Sequence, residues 1–336
     1  VIPTAKVSES EKKSKMRKIE TDILVISAGT AGLDAAVTAA AKGVKAVAVE
    51  RNGSAGGNGV MANGPFAVES RLQRERMVEL TKEEAYKMHM KFTQYDVNGA
   101  LVKHFIDKSA DTIDWLEEMC VAFEGLGRLG HGMSPTWHLV APEPGNEAKK
   151  VNDGYVVINK MKKRAEELGV QILMKTEARK LIMEGGRVVG AIAVDKDGEL
   201  EIRAKAVISA AGGYGAYWRK PMGIPMYGDG LNMARAVGAE VTDGTMPVIT
   251  REMKNEKMFG DAPPPFMFPS INAMGGQPNL VVNALGKRFG DEYELFVDPH
   301  GFNAFKHIPN GVAFDIFTED IINLYQQTGF DFIEGY

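Results

Sequence analysis

The chain has 336 residues, of which 44% are apolar and 25% charged, the composition of a globular protein with about two domains. Its formal net charge of −4 argues against a nucleic-acid binder that depends on a basic surface. No stretch is apolar over the 18 or more residues that predict a membrane span. Cys120 is the single cysteine, which excludes an internal disulfide framework and a metal site built from several thiolates. It follows an apolar helical segment, so we expect it to be buried and inert.

The N-terminal residues 1–20 are polar and rich in lysine, which predicts a flexible, solvated arm. They lack the apolar core of a signal peptide, so we predict a cytoplasmic location. The chain begins at Val1 rather than methionine. A processed, exported protein therefore stays open as an alternative.

The front of the fold has the pattern of a βαβ unit. Residues 21–27 form a short apolar run typical of a buried strand, residues 28–32 are small, and residues 33–42 are rich in alanine. A second apolar run, 44–50, ends in Glu50. This order predicts an α/β fold with a parallel sheet.

The rest of the chain predicts a larger nucleotide-binding domain followed by a segment of different amino-acid composition. Arg51 to Gly64 carries five glycines and is predicted to be a loop. After about residue 245 the sequence turns to Met, Phe and Pro, which marks a candidate domain boundary. The further predicted elements are helices within 81–120 starting at Asn98 or Asp111, irregular chain over 121–154, a helix over 160–168, strands at 170–175, 178–184, 187–194, 201–203 and 205–211, and a helix over 229–237.

The segment from Ser27 to Gly32 fills a G-x-G-x-x-G pattern, with serine in the first glycine position. Such a turn lets the backbone approach a pyrophosphate, and the following helix presents its free N–H groups to that anion. Glu50 lies 18 residues beyond Gly32, where a carboxylate can accept hydrogen bonds from ribose hydroxyls. We predict a dinucleotide site; a plain strand–helix turn is the alternative, and Ser27 departs from the usual turn residue.

Several further motifs follow in a fixed order: Gly56-Gly57-Asn58-Gly59, the run 207–213, Gly228-Asp229-Gly230 with the helix after it, and the run 277–292. With this order, the sequence resembles the FAD-binding flavoproteins of the fumarate reductase and succinate dehydrogenase group, most closely over residues 20–245. The resemblance implies a Rossmann-like FAD-binding domain over 21–245 with a β-meander insertion and a helical and irregular insertion at about 65–150. It also implies an α+β cap domain for substrate over 246–336. The family's glycine-rich closing segment is not found in this sequence, so we expect the cap and the catalytic end to be incomplete.

The resemblance assigns cofactor contacts residue by residue. Glu50, followed by Arg51, would hold the adenosine ribose, Ala178 would touch adenine through its backbone, and Asp229 would contact the flavin side. No histidine occurs over residues 51–68, so the FAD is expected to be non-covalent. The remaining implied contacts are Ser27, Gly29, Ala31 and Gly32 at the first turn, Gly57, Asn58 and Gly59 along the pyrophosphate and ribityl chain, and Ala211 and Gly212 where the chain returns to the cofactor.

The family passes hydride between flavin and a C–C bond, so the resemblance implies an oxidoreductase acting on a small unsaturated or carboxylated substrate. Residues 244–280 contain no histidine and residues 290–336 no arginine, unlike fumarate reductases, so we expect a substrate other than fumarate. Three residues remain as weak catalytic candidates: His138, Arg251 and Arg288. His131, in the same irregular stretch as His138, and Tyr293 are further candidates, and Arg288 has the alternative of orienting a turn or pairing with Asp291 or Glu292.

Two other functions stay open at this point. The chain could be a flavin-binding electron-transfer component without reductase activity of its own, or an NAD-dependent dehydrogenase that uses the same first motif. The expected partners are a small-molecule substrate and an electron-donor protein, with no nucleic acid, no metal and no membrane span.

Overall fold

The computed structural model describes residues 16–62, 64–93, 95, 97–128, 134–143, 153–213, 227–240, 280–292, 304, 307–309, 313–321 and 323. Its helices are α1 (Thr30–Ala41), α2 (Arg71–Glu75), α3 (Lys82–Phe92), α4 (Gly99–Glu118), α5 (Asp153–Glu167) and α6 (Asp229–Ala236), with a short 3-10 helix at Gly57–Met61. Its strands are β1 (Arg17–Ile26), β2 (Ala46–Val49), β3 (Phe123–Gly127), β4 (Trp137–Val140), β5 (Gln171–Leu173), β6 (Glu177–Glu184), β7 (Arg187–Asp195), β8 (Gly198–Ser209), β9 (Leu280–Asn283) and β10 (Ala313–Ile316).

The chain divides into two compact units. The first comprises residues 1–59 and 161–243, and the second comprises residues 60–160 and 244–336. Much of the predicted cap, including residues 246–279, lies outside the described residues. The domain boundaries drawn from the sequence therefore stay predictions.

A six-stranded sheet in the order β5-β2-β1-β8-β7-β6 forms the centre of the first unit. The pairs β1–β2, β1–β8 and β2–β5 are parallel, whereas β6–β7 and β7–β8 are antiparallel. All four residues of β2 are buried, as is typical of parallel strands covered on both faces. The predicted α/β class and its β-meander are confirmed.

Two features of this sheet differ from the sequence prediction. The runs 201–203 and 205–211 are not separate strands: β8 is one strand of 12 residues. Its first half pairs with β7, and its whole length from Leu200 to Ser209 pairs with β1. β1 also begins at Arg17 rather than at residue 21, because Arg17 pairs with Asp195 and Lys18 with Glu201. Residues 17–20, which the sequence assigned to the flexible arm, are therefore part of β1.

In the described part of the second unit lie α2, α3 and α4 and two antiparallel strand pairs, β3–β4 and β9–β10. Asn98 caps α4 through a side-chain bond to the Leu101 N–H, which confirms this predicted helix start, whereas Asp111 lies inside the same helix. The predicted irregular stretch 121–154 contains β3 and β4. Cys120 is exposed, contrary to prediction, because the chain leaves α4 through a left-handed residue at this position (φ 63°).

Candidate dinucleotide site

The site is built on the turn between β1 and α1. Ser27 takes the left-handed backbone conformation that favours glycine, with φ of 87°. Gly32 permits the turn to close, since a Cβ there would lie 2.0 Å from the carbonyl oxygen of Ser27. The predicted tight turn therefore forms with serine in its first position.

The N-terminus of α1 is open to an anion. Gly29 caps the helix without a side-chain hydrogen bond, and the first turn of the helix contains no acidic residue. A second glycine loop lies against it, where the Gly56 N–H donates to the Ala28 carbonyl at 2.8 Å. A Cβ at Gly29 would meet its first neighbour only at 3.7 Å, so this glycine leaves a space that a side chain would fill. The amides of the first helical turn, a favourable helix dipole and the room that Gly29 leaves beside the backbone fit a pyrophosphate.

Glu50 is fixed next to this turn and is only 4% exposed. One carboxylate oxygen accepts from the Ala28 N–H at 2.9 Å and from the Ser27 hydroxyl at 3.1 Å, and the other accepts from the Asn52 N–H at 2.9 Å. A carboxylate has about four lone-pair sites, so these three donors leave capacity for a ribose hydroxyl. The arrangement agrees with the role that the resemblance assigns to Glu50.

One cavity of the first unit brings several predicted cofactor residues together. Its lining includes Ser27, Glu50, Ala178, Ala211 and Asp229. The Ala210 N–H donates to the Ile26 carbonyl at 2.9 Å, which places the chain after β8 beside the turn after β1. All these residues lie at the carboxyl end of the parallel strands or on the neighbouring β6 and α6, where α/β folds bind ligands.

Arg51 and Asp229 form an ion pair at this cavity, with 2.9 Å between Nη1 and Oδ2. The Arg51 guanidinium also lies 3.7 Å from Glu177 and 5.5 Å from the centre of the Tyr227 ring. The resemblance suggested the flavin side for Asp229. This contact stays a prediction; in the structure, Asp229 lines the same cavity as Glu50 and Ala178, the residues expected to hold adenosine. Tyr227 is a contact that sequence analysis missed, although it immediately precedes the Gly228-Asp229-Gly230 motif.

His138 is wholly buried in the second unit, which argues against its predicted contact with substrate. Its Nδ1 lies 3.3 Å from the Thr136 carbonyl, which can only accept, so we place the proton on Nδ1. Its Nε2 then accepts from the Ser70 hydroxyl at 2.7 Å. Burial lowers the pKa of His138 below its usual range, since desolvation disfavours the charged ring. Burial and bonds at both nitrogens favour a packing role for His138, and its contact with substrate stays an untested prediction.

The other catalytic candidates gain no support. Arg288 pairs with Glu292, with Nε 2.9 Å from Oε1 and 3.1 Å from Oε2, which confirms the alternative for this residue. The hydrogen bond from Arg288 lowers the pKa of Glu292 to about 2. Arg251, His131 and Tyr293 lie outside the described residues.

Over the part of the chain that the structure describes, neither a metal site nor a membrane-spanning helix is found. No group of three or more His, Cys, Asp or Glu side chains there could hold a metal ion. No helix in the same ranges combines the length and the apolarity needed to span a bilayer.

Comparison with known proteins identifies the family. Residues 22–303 match the family model for the FAD binding domain. The vinyl phenol reductase of Lactiplantibacillus plantarum is 27% identical over 92% of this chain and 63% of its own length. The urocanate reductase of Eggerthella lenta is 28% identical over 90% of this chain and 50% of its own. A flavocytochrome c3 fumarate reductase in its open conformation superposes with a TM-score of 0.67 at 27% identity, over 92% of this chain and 54% of the other.

The chain therefore spans less than two thirds of the length of these relatives. The family match covers both glycine loops, Glu50 and the α6 motif, and it replaces the NAD-dependent alternative with FAD. This chain belongs to the FAD-binding domain family of the fumarate reductase flavoproteins.

Proposed function

We propose that this chain is the FAD-binding part of a reductase that acts on the C=C bond of a small unsaturated substrate. The observation that carries the proposal is the open N-terminus of α1, capped by Gly29, beside the prepositioned carboxylate of Glu50. These groups match the two polar parts of an adenine dinucleotide, its pyrophosphate and its ribose. Bound FAD would supply the hydride chemistry.

The residues of this chain would hold and orient that cofactor. The α1 amides would bind the pyrophosphate, and Glu50 would accept from a ribose hydroxyl while Ala28, Ser27 and Asn52 keep its carboxylate in place. Residues 51–68, the segment in which the resemblance would place a histidine for covalent attachment, contain no histidine. We therefore propose that the FAD is bound without a covalent bond.

The substrate class is inferred from relatives. Vinyl phenol, urocanate and acrylate, named in three related enzymes, share a C=C bond conjugated to an aromatic ring or a carboxylate. We include a substrate other than fumarate in the proposal, because residues 244–280 contain no histidine and residues 290–336 no arginine, the ranges in which the resemblance to fumarate reductases implies them.

The electron donor is a separate part of the proposal. Relatives include an NADH:acrylate oxidoreductase from Vibrio harveyi and a fumarate reductase (cytochrome) from Shewanella frigidimarina. These names support a donor protein or domain that reduces the flavin. A cytoplasmic location also remains part of the proposal, and cell fractionation would test it.

The first experiment is the visible spectrum of the purified chain before and after acid precipitation. Flavin bands that pass into the supernatant support dissociable FAD, whereas bands that stay in the pellet contradict it. Gly29→Ala is the matched variant, since the added methyl group would occupy the space proposed for the pyrophosphate. We expect it to purify with less flavin.

The second experiment measures anaerobic oxidation of reduced methyl viologen with 4-vinylphenol, urocanate, acrylate or fumarate. Turnover with any of the first three supports the proposed function. Turnover with fumarate alone contradicts the substrate assignment. A flavin-loaded chain that is inactive with all four, yet transfers electrons to a second dye, would support the alternative of an electron-transfer component.

A further inference from the structure

Ser27 combines two features that a turn residue rarely shows together. Its backbone is in the left-handed region, where a side chain costs conformational energy that glycine avoids. Its hydroxyl is nevertheless engaged on both sides, donating to Glu50 at 3.1 Å and accepting from the Gly29 N–H at 3.3 Å. Strained backbone held by its surroundings often marks a functional position.

We propose that Ser27 is a positioning residue for the ribose-binding carboxylate, a role that rests on the proposed FAD site. The Ser27 hydroxyl and the Ala28 N–H share the oxygen Oε2 of Glu50. The Asn52 N–H holds Oε1 from the other side, so the carboxylate is fixed at both ends. Glycine in the first position of the turn would remove the hydroxyl and leave Oε2 to one donor.

The same hydroxyl links the two halves of the site. The Gly29 N–H belongs to the residue that caps α1, at the place proposed for the pyrophosphate. By accepting from Gly29 and donating to Glu50, Ser27 fixes the ribose acceptor relative to the pyrophosphate turn. Such prior ordering reduces the entropy lost when the nucleotide binds.

An opposite effect follows from the same geometry and must be distinguished by experiment. A hydroxyl that occupies the Gly29 N–H competes with a phosphate oxygen for this donor. In that case, removal of the hydroxyl would strengthen nucleotide binding. The proposal requires that removal weakens the recognition of ribose.

The test compares ADP with 2′,3′-dideoxy-ADP by calorimetry on the apoprotein. The ratio of their affinities reports the ribose hydroxyls, whereas a general structural defect weakens both ligands equally. We expect the unaltered chain to prefer ADP by about 10-fold, which corresponds to about one charge-assisted hydrogen bond. Ser27→Ala and Ser27→Gly should both reduce the preference to about 2-fold.

Two variants and one control make the result specific. Ser27→Gly relieves the left-handed strain and should raise the melting temperature of the apoprotein while still losing the preference, so weakened folding cannot explain the loss. In a Glu50→Gln background, Ser27→Ala should add little, because the two residues act through one contact. Thr38→Ala removes an exposed hydroxyl from α1 and should leave the preference unchanged.

Four outcomes would overturn the proposal. An unchanged preference in both Ser27 variants would show that the hydroxyl does not position Glu50. Tighter ADP binding by Ser27→Gly would favour competition for the Gly29 N–H instead. An unaltered chain that does not bind ADP would overturn the proposed nucleotide site together with this role. An unaltered chain that binds ADP and the dideoxy analogue equally would overturn this role and leave the nucleotide site standing.

Discussion

Two serine hydroxyls in this protein each bond to a buried titratable side chain, Ser27 to Glu50 in the first unit and Ser70 to His138 in the second. The two acceptors are almost equally buried, at 4% and 0% exposure. Their surroundings differ: Glu50 lines a cavity beside an open helix N-terminus, whereas His138 packs edge-on against Phe123.

The difference also extends to the backbone. Ser27 is in a left-handed conformation, while Ser70 has an ordinary extended conformation and caps α2 in a capping box with Gln73. We therefore expect Ser70 and His138 to stabilise the fold, and we propose that Ser27 and Glu50 support a binding site. On this proposal, similar hydrogen-bonded pairs have different roles because the space around them differs.

The largest expected effect is at the turn between β1 and α1, which carries the Ser27–Glu50 pair. Gly32→Ala places a methyl group 2.0 Å from the Ser27 carbonyl oxygen, and the backbone must shift to accept it. We expect a loss of about 4 kcal/mol in the free energy of unfolding, measured with urea. Gly29→Ala is the control, since its Cβ has room, and it should stay within about 1 kcal/mol of the unaltered chain. Equal stability of both variants would contradict the proposed packing.

The second expected effect is on stability and concerns the Ser70–His138 pair. His138→Ala removes a fully buried ring and leaves the Ser70 hydroxyl without its acceptor. A loss of about 3 kcal/mol in the free energy of unfolding is expected, with FAD affinity unchanged. His104→Ala, an exposed histidine on α4, should change stability by no more than about 0.5 kcal/mol. Loss of turnover in a stable, FAD-loaded His138 variant would restore this residue as a catalytic candidate.

The third expected effect is on FAD affinity, which should depend on the Ser27–Glu50 pair and not on the Ser70–His138 pair. Glu50→Gln keeps the shape of the side chain and removes the charge that accepts from Ser27, Ala28 and Asn52. We expect the dissociation constant of FAD to rise by about 10-fold, measured by flavin fluorescence. Glu184→Gln, on the exposed part of β6, makes the same chemical change and should leave FAD affinity unchanged. Equal affinity for all three chains would remove Glu50 from the site.

The fourth effect is a pH dependence carried by His138. Burial lowers its pKa in the folded state below the value of about 6.5 in the unfolded chain. The unfolded state then binds more protons below pH 6.5, so stability should fall as the pH drops from about 7.5 to 5.5. The slope cannot exceed about 1.4 kcal/mol per pH unit for one group. In urea titrations, His138→Ala should show a weaker dependence; the same slope in both chains would assign the effect to other groups.

The smallest effect is at Arg288. Arg288→Gln removes the hydrogen bond that chiefly lowers the pKa of Glu292 to about 2, so this pKa should rise toward its usual range. Since a depressed carboxylate pKa stabilises the fold at neutral pH and is lost in acid, the variant should lose some stability above pH 4.5. Carbon-detected NMR of the carboxyl groups measures the shift, with Arg187→Gln as a charge-matched control. Unchanged FAD affinity is also expected, because neither residue lines the dinucleotide cavity.

Several parts of the fold followed from the sequence because their signals are local. The apolar runs around Ile23 and Val47, with the small residues between them, predicted the βαβ unit. The ribose contact of Glu50 stays a prediction. The spacing of Arg288 and Glu292 suggested their pair, since both lie within four residues. The order of the glycine motifs indicated FAD, which the family match confirmed.

The tertiary structure decided the features that depend on distant residues. Arg17 became part of β1 because its partners are Leu200 in register and Asp195 as a counter-ion. His138 was a plausible substrate contact until its burial and its bonds to Ser70 and Thr136 were known. The sequence showed that serine replaces glycine at position 27. Only the folded chain, which brings the ends of β1 and β2 together, places this hydroxyl on Glu50, since 23 residues separate the two in sequence.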